Sequence, residues 1–164
     1  MKSEAILIYG VYESVLKEIL NVQKELPDHV MYLQPYKSSP IKHLRDEEPT
    51  SENPYKLFLT ITNDLNNVHY TAEIIGWDNK TLISEEKKKV LMRLLYTLQP
   101  EEGGLYNASR SDDGESINLL HIRRLIKLKK PFKISTLVKT KDNNPVKEGR
   151  TSSGGWAYVK PITS

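Results

Sequence analysis

The stretch Tyr55–Trp77, YKLFLTITNDLNNVHYTAEIIGW, constrains the fold more than any other part of the chain. Lys56, Phe58, Thr60 and Thr62 alternate with Leu57, Leu59 and Ile61, and Asn63 to Asn67 then supply turn chemistry. Val68 to Trp77 return with Tyr70, Ala72 and Ile74 in one phase and Thr71, Glu73 and Ile75 in the other. Period-two patterning on both sides of a polar turn predicts a β-hairpin, and Gly76 predicts a bulge or bend that reorients Trp77.

The remaining elements are placed around this hairpin. Glu4–Val11, EAILIYGV, reads as a buried first strand. Val15, Leu16, Ile19, Leu20 and Leu26 then form a helical stripe that Pro27-Asp28 ends. Val30–Tyr36 reads as a short second strand, limited by Pro35. Residues 37–54 are polar, contain three prolines and show no periodicity, so they read as a loop. Ser84 as N-cap, Glu85 and Glu86 in the first turn, and a stripe of Val90, Leu91, Leu94, Leu95 and Leu98 before Pro100 predict a second helix. A Gly-, Ser- and Asp-rich loop follows.

Ile117–Leu128, INLLHIRRLIKL, alternates as a strand until Arg123-Arg124 breaks the phase, which predicts a bulge there; Pro131 is expected to stop the strand. Phe132, Leu137 and Val138 predict a short helical turn beside the sheet, Asp142-Asn143-Asn144-Pro145 a turn, and Trp156–Val159 a last strand. The fold class expected is α+β, with a mixed, curled sheet or small open barrel of about five to seven strands flanked by two main helices. At 164 residues the chain is expected to form one domain, 1–164.

Composition excludes several functions. The chain has no cysteine, which removes disulfides, thiolate metal sites and a cysteine nucleophile. His29, His43, His69 and His121 are scattered singly, without the spacing of a metal motif. There is no GxSxG, and Gly149–Gly155 lacks the GK[ST] ending of a P-loop. No cofactor is expected. The opening MKSEAILIYGVYES turns polar too early for a signal peptide, and no apolar run spans a bilayer, so a cytoplasmic location without membrane contact is expected.

Charge points toward a polyanion. Net charge is only +3, but Glu115–Ser164 holds eleven Lys+Arg against three Asp+Glu, a net of +8, leaving 13 against 18 and a net of −5 in residues 1–114. Nine tyrosines and two tryptophans supply rings with polar edges, suited to stacking a base in a half-wet pocket. Trp77 and Trp156 are the stacking candidates, with Tyr158 on the same strand face as Trp156. Arg123, Arg124, Lys127, Lys129 and Lys130 are candidates for phosphate contacts, and Arg150 for an anion contact from a flexible Ser/Gly loop. This predicts a non-catalytic module that binds DNA or RNA, with the two tryptophans facing each other across one pocket. Two alternatives stand beside it: a small nuclease using Asp64 and Glu73, and a protein-interaction domain with a basic face.

The hairpin YKLFLTITNDLNNVHYTAEIIGW and the later INLLHIRRLIKLKKPFKISTLV, with its Leu128-Lys129-Lys130-Pro131 step into a helical turn, resemble the PUA-like superfamily and, within it, EVE-type domains. The two segments span less than half of the chain. The resemblance implies a small curled sheet flanked by helices and a pocket for a flipped, often modified base, as in modification-dependent restriction systems and RNA readers. It further implies that Thr62 and Asn63, at the end of the first hairpin strand, lie near the pocket and that Trp77 forms a cage wall. The chain departs from the family in lacking a counterpart of the motif that follows its first strand.

Overall fold

The computed structural model describes residues 5–25, 31–33, 49–79, 118–151 and 156–162. They form β1 (Ala5–Val11), α1 (Glu13–Glu25), β2 (Met31–Leu33), β3 (Tyr55–Ile61), β4 (Asn67–Asn79), β5 (Asn118–Lys133), a 3-10 turn (Ile134–Thr136) and β6 (Trp156–Val159). The strands make one mixed sheet in the order β2-β5-β4-β3-β1-β6. β1 and β3 are parallel, and every other ladder is antiparallel.

A parallel pair needs a crossover connection, and α1 lies within the one joining β1 to β3. Its stripe of Val15, Leu16 and Ile19 is buried against Ile6 and Ile8 of β1, Leu57 and Leu59 of β3, and Tyr70, Ala72 and Ile74 of β4. The opposite face of the sheet is also covered. Ala5, Leu7, Tyr9, Phe58 and Val68 pack there against Ile134, Leu137 and Val146 from the irregular segment after β5. This explains the near-continuous apolar run of β1, because a strand buried on both faces has no polar side to show.

The expected architecture of two main helices flanking a curled sheet or small barrel is corrected by these observations. Among the described residues α1 is the one α-helix, and the sheet has five strands of four or more residues plus the three-residue β2. The second face is closed by the 3-10 turn and the coil after it rather than by a helix, since three apolar side chains on a short arm suffice to cover it. No ladder among the described residues joins the outer strands β2 and β6. The helix expected between Ser84 and Pro100 lies outside the described residues. Among the described residues no helix is long and apolar enough to cross a membrane.

The β4–β5 pairing is interrupted three times. Between Thr71↔Ile126 and Glu73↔Arg123, Arg124 and Leu125 stand opposite Ala72 alone, and Arg124 takes φ 55°. This is the bulge that the Arg-Arg interruption predicted. Between Val68↔Phe132 and Tyr70↔Lys127, the four residues 128–131 stand opposite His69. Pro131 therefore does not stop the strand, which continues to Lys133: the missing N–H falls inside the bulge, where the ladder asks for no donor. The third interruption leaves Ile75 extra on β4, next to Gly76, where a Cβ would come within 3.2 Å of the His121 ring.

Candidate functional site

Two groups of polar side chains gather at the end of the sheet that carries the β3–β4 turn. The first sits where the parallel strands β1 and β3 finish. Thr62 N–H donates to the Val11 carbonyl at 3.1 Å, so the β1–α1 connection and the hairpin turn are fastened side by side. Just before this point Gly10, at φ 72°, donates its N–H to Thr60 Oγ1 at 2.8 Å.

In the turn, the Asp64 carboxylate accepts from Asn67 Nδ2 at 3.0 Å and from His69 Nε2 at 2.8 Å. Partial burial pushes the Asp64 carboxyl up, but the hydrogen bonds from His69 and Asn67 and the nearby imidazole outweigh it, and the group is held below the usual carboxylate range. Beside it the Tyr70 hydroxyl donates to Glu13 Oε2 at 2.8 Å. Lys127 Nζ lies 3.7 Å and Lys17 Nζ 3.9 Å from the same carboxylate. The Tyr70 bond lowers the Glu13 pKa, partial burial opposes it, and the two lysines and His69 add to the lowering. Burial, and then the bond to the Glu13 carboxylate, drives the Tyr70 hydroxyl far above its ordinary value. Side chains from α1, the hairpin turn, β4 and β5 thus form one linked set of ionisable groups at a strand end, an arrangement typical of functional sites.

The second group centres on Arg150. Its backbone is clamped by one side chain: Asn66 Oδ1 accepts from Arg150 N–H at 2.8 Å, and Asn66 Nδ2 donates to the Arg150 carbonyl at 3.2 Å. The Asn66 carbonyl also accepts from Ile134 N–H at 3.0 Å, which ties the end of β5 to the same turn. The Arg150 guanidinium lies over the buried Tyr9 ring, 3.7 Å from its centroid, and its buried Nε has no hydrogen-bond partner. Burial raises the Tyr9 pKa and the adjacent guanidinium opposes the rise. Nearby, Lys129, Lys130 and Lys133 are exposed along the bulged end of β5 and make no ion pair among the described residues.

The structure redistributes the residues singled out in the sequence. Thr62, Asn63, Lys127 and Arg150 come to this one end of the sheet. Arg123 and Arg124 do not serve as a free basic rim. Arg123 Nε bonds Glu73 Oε1 at 2.8 Å and its other end donates to the Ser51 carbonyl at 2.6 Å, while Arg124 lies 3.3 Å from the same carboxylate. Cross-strand opposition of Glu73 and Arg123 neutralises the pair locally.

Trp156 and Tyr158 stand edge to face, centroids 5.1 Å apart, and pack in part against the helix-side core. Trp156 is level with Ile8, Leu59 and Tyr70 across the sheet. Trp77 lies seven residues further along β4, opposite Leu120, or about 23 Å of strand. The expected pocket with Trp77 and Trp156 as facing walls is not assembled, because strand register separates them. The nuclease pair fails for the same reason. Asp64 is in the turn, whereas Glu73 lies six residues beyond Asn67 and is engaged by Arg123.

Glu13, Asn66, His69 and Tyr70 carry no motif: the Glu13–Tyr70 bond and the Asn66–Arg150 clamp join segments 57 and 84 residues apart, and the His69–Asp64 bond depends on the detailed shape of the hairpin turn, none of which periodicity reveals. The exception is Glu13, whose place between a strand and a helical stripe marks it as a first-turn acid. Among the described residues no group of three or more His, Asp and Glu side chains is placed to hold a metal ion. No family model, no curated protein and no solved structure matches the chain.

Proposed function

We propose that the protein is a non-catalytic module that binds DNA or RNA, with its phosphate contacts on the bulged end of β5 and around Arg150. The observation that carries this reading is the run of exposed lysines 129, 130 and 133, which have no carboxylate partner among the described residues while Arg123 and Arg124 are paired with Glu73. The four-residue bulge holds Lys129 and Lys130, with Lys133 just beyond it, on one short stretch of backbone, where their summed field acts on a polyanion. The PUA-like resemblance supports the same reading and extends it to a base, modified or not, received near Thr62 and Asn63.

The test is fluorescence anisotropy with labelled single- and double-stranded DNA and RNA, methylated and unmethylated, over a salt series. Lys129→Ala, Lys130→Ala and Lys133→Ala combined should weaken all sequences alike. The slope of log K against log salt should become shallower by about 0.9 for each duplex phosphate no longer neutralised, or about 0.7 on single strands. Arg123→Ala should leave the slope nearly unchanged, because that side chain already serves Glu73 and Ser51. A parent protein that binds none of these polymers at low salt overturns the reading.

A further inference from the structure

We infer that Arg150 and Tyr9 form a recessed oxyanion site that receives a terminal phosphate monoester, so that the module binds strand ends carrying a phosphate in preference to hydroxyl ends. This rests on the nucleic-acid reading and adds to it which phosphate the Arg150 site takes.

The cation is held at both ends. Asn66 bonds the N–H and the carbonyl of Arg150, and the Asn66 carbonyl is itself held by Ile134 N–H, so the Arg150 backbone is fixed to the hairpin turn and to the end of β5. The guanidinium is fixed in turn by the Tyr9 ring, 3.7 Å from its centroid, and Tyr9 is 5% exposed within the second core. A side chain already ordered in this way gives up little conformational freedom when a ligand binds.

The site lacks an acceptor. A guanidinium presents only donors, yet among the described residues Arg150 has no carboxylate within ion-pair distance and its side chain donates to no carbonyl. Its buried Nε is left without a partner, which folded proteins rarely tolerate unless a ligand or water completes the site. The Tyr9 hydroxyl, on the ring that carries the guanidinium, also has no hydrogen-bond partner among the described residues. Burial keeps it protonated and therefore a donor, and the one charge that acts on it is Arg150. A cationic fork beside a neutral donor, with no anion near either, is complementary to an oxyanion. The recess selects which one. Tyr9 covers one face of the guanidinium and Nε is buried, while the half-buried residue leaves part of the fork open. An internal diester has a sugar on either side and a single charge. A terminal monoester projects three unsubstituted oxygens into such a recess and carries about 1.5 to 2 charges at neutral pH. Lys129 and Lys130 on the β5 bulge are left for the internal phosphates that follow.

Single strands of one sequence with a 5′-phosphate, a 3′-phosphate or hydroxyls at both ends, together with a hydroxyl-ended strand one nucleotide longer, test this on the full chain. One of the two phosphorylated strands should bind roughly 10- to 150-fold more tightly than the hydroxyl-ended strand, the factor that a hydrogen bond to a charged group supplies. The longer strand, which adds an internal phosphate instead, should gain much less. Arg150→Lys, which keeps the charge and loses the fork, should bring phosphorylated and hydroxyl-ended strands close to equal affinity. Tyr9→Phe, which keeps the ring under the guanidinium and removes the hydroxyl, should lower the same ratio. Lys129→Ala, Lys130→Ala and Lys133→Ala combined should weaken every strand and leave the ratio standing. A parent that gains no more from a terminal phosphate than from the added nucleotide, or an Arg150→Lys variant that keeps the parent's ratio, overturns the inference and leaves the basic surface standing. Absence of binding by the parent to any strand removes the underlying reading instead.

Discussion

Glu13 and Tyr70 show how a single hydrogen bond sets the charge state of two groups. The Glu13 pKa is lowered, so its contribution to stability is present above the ordinary glutamate value and is lost as pH falls through the lower folded value. The Tyr70 pKa is raised, so its contribution is complete below about 10 and is lost as pH rises toward the folded value. Tyr70→Phe should cost about 1.5–3 kcal/mol at neutral pH, as expected for a hydrogen bond to a charged acceptor. It should also flatten both limbs of the stability profile, which urea unfolding from pH 3 to 11 would read. An unchanged acid limb would mean that Glu13 is held down by its lysines instead. At this scale the sequence announced Thr62, Asn63 and Arg150 as polar residues at strand ends or in loops. It did not announce that Tyr70, placed by its alternation on a strand face, would meet a helix residue 57 positions away.

β5 is the element whose irregularity organises the basic surface. Beyond Ile122 it has no partner strand on the β2 side among the described residues, and a bare strand edge invites pairing with another chain. Helix α1 covers part of it. Gln23 Oε1 accepts from Leu125 N–H at 2.9 Å and Gln23 Nε2 donates to the Leu125 carbonyl at 2.9 Å, so one amide side chain stands in for a neighbouring strand. Gln23→Leu should therefore cost about 1–3 kcal/mol, since it leaves a backbone donor and acceptor unpaired. It should also speed hydrogen exchange of the Leu125 amide; protection equal to the parent's would show that the helix does not guard this edge. The bulge at Arg124 was legible from the double arginine breaking the alternation. The larger one at residues 128–131 was not, because a proline in a strand reads as a stop unless the partner's register is known.

At the scale of the molecule, the described residues form a sheet covered on both faces, by α1 on one and by the arm from Ile134 to Val146 on the other. Alternation in β3 set Phe58 in phase with Lys56, Thr60 and Thr62, as though that phase faced solvent, yet Phe58 and Thr60 are fully buried. Phe58 meets Phe132 edge to face, centroids 6.1 Å apart. Phe58→Ala should lower stability by about 3–5 kcal/mol, the usual cost of removing a buried ring, measured by denaturant unfolding. A loss under about 1 kcal/mol would mean that the second core contributes little. The sequence by itself determined the strands, the first helix, the hairpin turn and the basic bias of the last fifty residues, because each follows from local periodicity, turn residues or a count of charges. Only the tertiary structure decided that β1 lies parallel beside β3, that Glu73 ties up the arginines, and that the two tryptophans stand strand-lengths apart. Those facts depend on pairing and register between segments distant in the chain, and local patterning carries no information about which segment becomes whose neighbour.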